Sequence, residues 1–247
     1  MSDICNFRRI EKKYLITEAQ RRELAGRIGE MLQPDEYGRS TVCSLYLDTP
    51  DWLMIRNSID ATAYKEKLRL RSYGTPGPDS RVFLELKKKY RGVVYKRRVA
   101  LTERQAEAYL RSGIKPCDSQ IFRELDYAMK FYRGPRPAVV LSYEREAFTA
   151  ADVPDLRLTF DTRVRYRTDD LRLTAGTAGK EILPEDTVIL EIKTGGAMPL
   201  WLTHALDACA IRPSSFSKYG TAYRDLCRAG EISPDSLSYN KEVKQYA

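Results

Sequence analysis

The alternation of apolar and charged side chains is the most informative pattern in this chain. Between Tyr64 and Tyr73 the sequence reads Y-K-E-K-L-R-L-R-S-Y. Every second position of this segment is a cation, namely Lys65, Lys67, Arg69 and Arg71. Successive side chains of an extended strand point to opposite faces, so the cations share one face while Leu68 and Leu70 share the other. The pattern predicts a strand with one basic face.

The same alternation predicts several further strands. They cover about 7–16, 41–48, 81–89, 93–101, 138–148, 156–166 and 187–193, with a short strand near Leu171. The segments 81–89 and 93–101 are expected to form a hairpin about Tyr90-Arg91-Gly92. Together with the strand at 64–73, the prediction is eight strands, or nine if the short one near Leu171 is counted.

Helices are predicted between groups of strands. Thr17 and Thr102 each precede a glutamine by three residues, which is the capping-box signature of a helix start. Gly113 is expected to end the second of these helices. Further helices are predicted at about 119–132, 199–209 and 217–228. This order is typical of an α+β fold around a large antiparallel sheet, which we expect to close into a barrel of about eight strands with flanking helices.

Length and composition favour a single domain. The 247 residues contain no Pro/Gly/Ser-rich linker, so we predict one domain over residues 1–230 and a polar tail over 231–247. The chain has no apolar stretch of the roughly 20 residues that a membrane span needs. Its N-terminus lacks the apolar core of a signal peptide. We therefore expect a cytoplasmic protein, and leave peripheral membrane attachment through a partner open.

The reactive residue types exclude several classes of site. The five cysteines include no C-x-x-C pair, which argues against a disulfide framework and a zinc site. The single histidine, His204, lies in a predicted helix, where a solvated histidine is more common than a catalytic one. Walker A, dinucleotide-binding and protein-kinase signatures are missing. Nucleic acid is not expected as a partner, because the 16 tyrosines are scattered rather than clustered.

Charge is the feature that points to a ligand. The net charge is +8, from 42 Lys and Arg against 34 Asp and Glu. The cations again occupy alternate strand positions with occasional carboxylates, as in Arg9/Glu11/Lys13, Glu85/Lys87/Lys89, Arg157/Asp161/Arg163/Arg165 and Glu191/Lys193. For one strand, a solvent-exposed face is the more common explanation. Recurrence over five strands favours a site for a polyanion inside the barrel, with the carboxylates binding a hard divalent cation.

Short motifs in this chain resemble those of a known family. Ile10-Glu-Lys-Lys-Tyr, Leu45-Tyr-Leu-Asp, Lys67-Leu-Arg-Leu-Arg, Leu84-Glu-Leu-Lys, Tyr143-Glu-Arg, Leu190-Glu-Ile-Lys and Phe216-Ser-Lys-Tyr occur in the order expected of the VTC domain. This is the catalytic domain of the vacuolar transporter chaperone polyphosphate polymerases, a branch of the CYTH-like triphosphate tunnel superfamily. The resemblance covers about Phe7 to Arg228.

The resemblance implies a function and a set of site residues. The domain would bind a nucleoside triphosphate with Mn²⁺ or Mg²⁺ and transfer the terminal phosphoryl group to inorganic polyphosphate. The implied phosphate contacts are Lys13, Arg69, Arg71, Lys87, Arg145, Arg157, Lys218, Ser217 and Tyr143. Glu191 would bind the metal. The strand faces add Lys67 and Lys193 as substrate contacts, and Glu11 as a second metal ligand.

One departure from the superfamily bears on the reaction. In the first strand, the hydrolases and cyclases of the superfamily have a motif of the form Glu-x-Glu-x-Lys. At the corresponding positions this chain has Arg9-Ile-Glu-Lys-Lys. Replacing a carboxylate by a cation weakens water activation by metal and strengthens anion binding. Polymerisation is therefore favoured over triphosphate hydrolysis. Tripolyphosphate hydrolysis and a non-catalytic polyphosphate-binding module remain as alternatives, and a separate membrane partner and the oligomeric state stay open.

Overall fold

The structure is a computed structural model that describes residues 10–60, 63–91, 93–153 and 155–232. Three sequence predictions concern residues outside these ranges. They are the start of the first strand with Arg9, Gly92 in the hairpin, and the tail from residue 233 onward.

The described residues form nine strands of one antiparallel sheet. The strands are β1 (Ile10–Thr17), β2 (Leu32–Asp48), β3 (Tyr64–Tyr73), β4 (Arg81–Tyr90), β5 (Val93–Thr102), β6 (Arg136–Ala150), β7 (Arg157–Arg167), β8 (Lys180–Glu181) and β9 (Thr187–Thr194). Their order is β1-β9-β7-β6-β2-β3-β4-β5, and β8 pairs with β7.

The prediction of a closed barrel is wrong. The strand order is an open path, and in the ranges that the structure covers no ladder joins β1 to β5. The first residues of β5, Val93, Val94 and Tyr95, pair with β4, and their side chains are exposed. Closure depends on the pairing and stagger of the end strands. An alternating charge pattern specifies the two faces of a strand but not its outer neighbour.

Six helices accompany the sheet in the described residues. They are α1 (Glu18–Ile28), α2 (Leu53–Ile59), α3 (Glu103–Ser112), α4 (Gln120–Phe131), α5 (Leu200–Ala208) and α6 (Lys218–Arg228). Both predicted capping boxes are confirmed: the Thr17 hydroxyl accepts from the backbone N–H of Gln20 at 3.1 Å, and Thr102 does the same for Gln105 at 3.2 Å. Gly113 ends α3 in the left-handed conformation, with φ of 71°. None of the helices described here is long and apolar enough to cross a membrane.

Some elements differ from the sequence prediction. Strand β2 begins at Leu32 rather than near Thr41, because its exposed first half lacks the apolar alternation that marks a strand. The short strand expected near Leu171 is wrong, since a 3₁₀ turn follows at Leu173–Ala175. Helix α2 was not predicted. The N–H of Leu53 is bound by the Thr49 hydroxyl, and those of Met54 and Ile55 are bound by the Asp48 carboxylate at the end of the preceding strand.

The chain divides into two compact units. The first unit comprises Met1–Thr41, Tyr143–Val164 and Leu183–Phe216, and the second comprises Val42–Ser142, Arg165–Ile182 and Ser217–Ala247. In the first unit, Leu24 of α1 packs with Leu158 and Leu190 of the sheet. In the second, Leu68 and Leu84 pack with Phe122 of α4. The proposed boundary between a domain at 1–230 and a tail at 231–247 stays a prediction.

Candidate functional site

Strands β3, β4 and β5 of the second unit carry a face rich in cations. In the register of these strands, Lys67 lies opposite Lys87, which lies opposite Lys96. In the adjacent row, Glu85 lies between Arg69 and Arg98. Directly opposite residues share a face, so one face collects Lys65, Lys67, Arg69, Arg71, Lys87, Lys89, Lys96 and Arg98. We call this surface the basic face.

Glu85 is the carboxylate around which several of these cations are arranged. The residue is only 1% exposed. Arg69 donates to it from Nε at 2.8 Å, and ion pairs join it to Lys96 at 2.8 Å and Arg98 at 2.5 Å. Burial raises the pKa of Glu85, but the neighbouring cations lower it more, to well below its usual range. The carboxylate is therefore ionised and offsets part of the repulsion among these cations.

The neighbouring strand β2 supplies two hydroxyl groups to the basic face. Arg69 Nη1 donates to the Tyr46 hydroxyl at 3.1 Å, and Arg71 Nε donates to the Ser44 hydroxyl at 3.1 Å. Burial raises the pKa of the Tyr46 hydroxyl, but three cations at close range lower it more, to about 7. Those three cations are Arg69, Lys67 and Arg71. A fraction of Tyr46 is therefore ionised near neutral pH.

Ser217 joins the basic face through the start of α6. Its hydroxyl accepts from Lys67 Nζ at 3.0 Å and caps α6 by accepting from the Gly220 N–H at 3.2 Å. Two residues later, the Tyr219 hydroxyl donates to the buried Asp48 carboxylate at 2.8 Å. The Tyr219 ring also stacks on Tyr46, with centroids 4.3 Å apart. These contacts hold the Phe216-Ser-Lys-Tyr motif against the Leu45-Tyr-Leu-Asp motif.

Strands β1, β9 and β7 of the first unit carry a face of mixed charge. Lys13 lies opposite Glu191, and Glu11 lies opposite Lys193. Glu11 pairs with Lys13 at 3.3 Å, and Glu191 pairs with Lys193 at 2.6 Å. On the other side of β9, Arg157 lies opposite Lys193. We call this surface, formed by Glu11, Lys13, Glu191, Lys193, Arg157 and Thr159, the mixed-charge face.

Arg145 of the first unit is bound by a carboxylate that the sequence analysis did not assign. Its guanidinium donates to both oxygens of the buried Asp161, from Nε at 2.6 Å and Nη2 at 2.7 Å. The same group lies over the Tyr143 ring, 5.2 Å from its centroid. Burial lowers the pKa of Arg145, but the surrounding anionic groups raise it more. Arg145 is thus a fixed cation held in one orientation.

The predicted site residues fall into two groups. The second unit brings together Lys67, Arg69, Arg71, Lys87 and Ser217, with Lys218 as the first residue of α6. The first unit brings together Glu11, Lys13, Glu191, Lys193 and Arg157, and it places Arg145 beside Tyr143. The roles given to these residues stay predictions.

Sequence reasoning missed several members of these sites. Lys96 and Arg98 lie two positions apart in a strand that was predicted, so the period-two pattern could have identified them. Glu85 was placed on the right face without a role. The part played by Tyr46 could not be predicted, because its contact with Arg69 depends on the register between β2 and β3.

The carboxylates of the mixed-charge face supply only some of the ligands that a metal ion requires. Among the described residues, no group of three or more His, Cys, Asp or Glu side chains is placed to hold a metal ion. Glu11 and Glu191 occupy diagonal positions on neighbouring strands, about 7–8 Å apart in typical sheets. Mg²⁺ is commonly held by one or two carboxylates together with substrate phosphates. The donor set therefore fits a cation that shares its coordination with a phosphate ligand.

The fold defines a class: an antiparallel α+β protein whose sheet carries two charged faces. A family model described as the VTC domain matches residues 8–227. The chain therefore belongs to the VTC domain family. A search of the curated proteins finds no match.

Several solved structures are similar in fold. A Bacillus halodurans protein described as a candidate adenylate cyclase has a TM-score of 0.47 and 14% identity, over 96% of this chain and 97% of its own. A Vibrio parahaemolyticus protein with the same description has a TM-score of 0.47 and 10% identity, over 87% and 97%. The Mimivirus capping enzyme triphosphatase has a TM-score of 0.36 and 10% identity, over 80% and 86%. Such distant likeness leaves the chemistry to be argued from this chain's own residues.

Proposed function

We propose that this protein is a polyphosphate polymerase-like phosphotransferase. It transfers the γ-phosphoryl group of a nucleoside triphosphate such as ATP to a polyphosphate chain, with Mn²⁺ or Mg²⁺. The observation that carries the proposal is the basic face, on which rows of cations cross three paired strands around the buried Glu85. Membership of the VTC domain family supports it.

The basic face is suited to a linear polyanion. Strands lie about 4.8 Å apart, and side chains on one face repeat about every 7 Å along a strand. Two like charges 5 Å apart cost about 3 kcal/mol at an effective dielectric constant of about 20. A bound polyanion offsets such repulsion among the cations of the basic face, in which Lys67 and Lys87 lie on directly opposite positions. Arg69 and Arg71 offer planar guanidinium groups that match phosphate oxygens, while the lysines act as point charges.

The mixed-charge face is suited to a phosphate group that carries a divalent cation. Glu191 and Glu11 would hold the divalent cation, which when bound neutralises charge on the transferring phosphoryl group. Lys13 and Arg157 attract and orient phosphate oxygens. A phosphate acceptor is already anionic near neutral pH, so transfer needs positioning more than a strong base. This agrees with the only histidine, His204, being exposed on α5.

A direct assay tests the proposal. Purified protein is incubated with ATP and Mn²⁺, and the products are resolved by gel electrophoresis. We expect chains that lengthen with time, and we expect Glu191→Ala and Lys218→Ala to abolish or strongly reduce this growth. Glu185→Ala, which removes an exposed carboxylate of the same unit, is the matched control and should remain active. Release of orthophosphate without longer chains would instead support a triphosphate hydrolase.

A non-catalytic polyphosphate-binding module is the second candidate. It is favoured by the ion pairs that Glu191 and Glu11 already make with lysines, since these compete with a metal for the carboxylates. Tight binding of polyphosphate without turnover, at every metal concentration tested, would support this candidate. A cytoplasmic location stays a prediction, and the question of a separate membrane partner stays open.

A further inference from the structure

Four buried polar atoms in the first unit have no hydrogen-bond partner among the residues that the structure describes. They are Trp201 Nε1, Arg157 Nε, Thr159 Oγ1 and Ser214 Oγ, and the last three lie at or beside the mixed-charge face. Thr159 is only 1% exposed. A hydroxyl group that is buried without a partner loses its hydrogen bonds to water and gains none in return. Each such group in a native protein therefore calls for an explanation, and a bound ligand is one.

The strand register places Thr159 and Ser214 in one row of side chains and places Arg157 beside that row. Thr159 of β7 lies opposite Glu191 of β9, which lies opposite Lys13 of β1. On the outer side of β1, Lys13 forms an isolated bridge with Ser214, whose N–H donates to the Lys13 carbonyl at 2.7 Å. Hydroxyl, carboxylate, ammonium and hydroxyl groups thus follow one another in a single row. Arg157 lies two residues before Thr159, on the same face.

The charges around the row indicate what the two hydroxyls would bind. Lys13 and Arg157 attract an anion, and hydroxyl groups donate to anionic oxygens. Arg157 donates from Nη2 to the Asp35 carboxylate at 2.5 Å, whereas its Nε has no hydrogen-bond partner. Glu191 would repel a bare anion but tolerates one that carries a divalent cation. A phosphate group satisfies these conditions, because it presents several oxygens at once.

We propose that Thr159 and Ser214 are further phosphate contacts, each donating its hydroxyl to a different phosphate group of the polyphosphate ligand that Lys13 and Arg157 attract. This inference rests on the proposed function, because it assigns two more residues to the same ligand. The two hydroxyls lie on either side of the Lys13–Glu191 pair. Because they are uncharged, the pattern of charged residues in the sequence does not identify them.

Binding of tripolyphosphate in the presence of Mg²⁺, measured by isothermal titration calorimetry, tests the inference. Thr159→Val removes the hydroxyl and keeps the branched shape, and should weaken binding about tenfold, as expected for a hydrogen bond to a charged group. Thr159→Ser restores the hydroxyl and should bind within about threefold of the wild type. Ser214→Ala should also bind about tenfold more weakly. Thr162→Val is the matched control on the same strand and should bind normally.

Thermal stability separates ligand binding from a structural role. Because the Thr159 hydroxyl has no partner, the melting temperature of Thr159→Val should equal or exceed that of the wild type. Provided that the wild type binds tripolyphosphate, a lower melting temperature of Thr159→Val, or an affinity equal to that of the wild type, would overturn the inference alone. If the wild type failed to bind tripolyphosphate at all, the proposed function would fail together with the inference.

Discussion

Removal of the Glu85 carboxylate should test how the basic face is held together. Glu85 is 1% exposed and is bound by Arg69, Lys96 and Arg98 at 2.5–2.8 Å. The variant Glu85→Gln keeps the size of the side chain and removes its charge. Three cations then face one another without their shared partner, while the amide can accept from only some of them.

The expected loss of stability follows from the burial of this group. Removing one partner of a buried ion pair costs about 3–5 kcal/mol. For a protein of this size we expect the melting temperature to fall by about 10 °C. The pKa of Glu85 is lowered in the folded protein, so its contribution is full above the ordinary glutamate value of 4.5 and is lost as the pH falls. The difference between the variant and the wild type should therefore shrink in acid.

Urea denaturation at low salt, with and without tripolyphosphate, provides the measurement. Tripolyphosphate should narrow the difference, because it supplies negative charge to the same cations and stabilises only the folded state. Glu124→Gln is the matched control: it breaks an exposed ion pair with Arg97, which contributes about 0–1 kcal/mol. Equal stability of Glu85→Gln and Glu124→Gln would refute this account, as would a difference that tripolyphosphate leaves unchanged.

Three further predictions concern pH and salt. Tyr46 has a pKa of about 7, so it gains negative charge beside Arg69 as the pH rises. The affinity of the wild type for tripolyphosphate, divided by that of Tyr46→Phe, should therefore fall between about pH 6 and 8. A ratio that stays constant in calorimetry would contradict this prediction. Burial raises the pKa of Asp48 to about 6 from 3.8, so this group's contribution to the unfolding free energy falls as the pH rises from about 4 to 6, by about 3 kcal/mol. Urea titrations should show this decrease in the wild type and not in Asp48→Asn. Tripolyphosphate affinity should fall steeply between about 0.05 and 0.5 M salt in filter binding, and equal binding at both would exclude a charge-based site.

Local signals were sufficient to predict much of the fold. The capping boxes at Thr17 and Thr102 depend on residues three positions apart, and both are present in the structure. The alternation in β3 likewise fixed which face carries the cations. Helix α2 escaped prediction because the N–H groups of Met54 and Ile55 are bound by Asp48, several residues away rather than at a local cap.

Longer-range features could not be predicted in the same way. The open strand order and the contact between Tyr46 and Arg69 depend on which strands pair and in what register. Asp161 was noted only as part of a charged strand, and nothing near it in the sequence identifies Arg145 as its partner. Such pairings are decided by three-dimensional packing rather than by the residues nearby.

The hydrogen bond from Tyr219 to Asp48 has a consequence for the order of folding. The two residues are separated by 171 positions in the chain. Closing so long a segment carries a high entropic cost, and a ribosome delivers Tyr219 long after Asp48. Until then Asp48 lacks one of its donors, and Ser217 cannot take its place beside Lys67. The contact between Ser217 and Lys67 therefore forms only after the ribosome has added the residues beyond Tyr219.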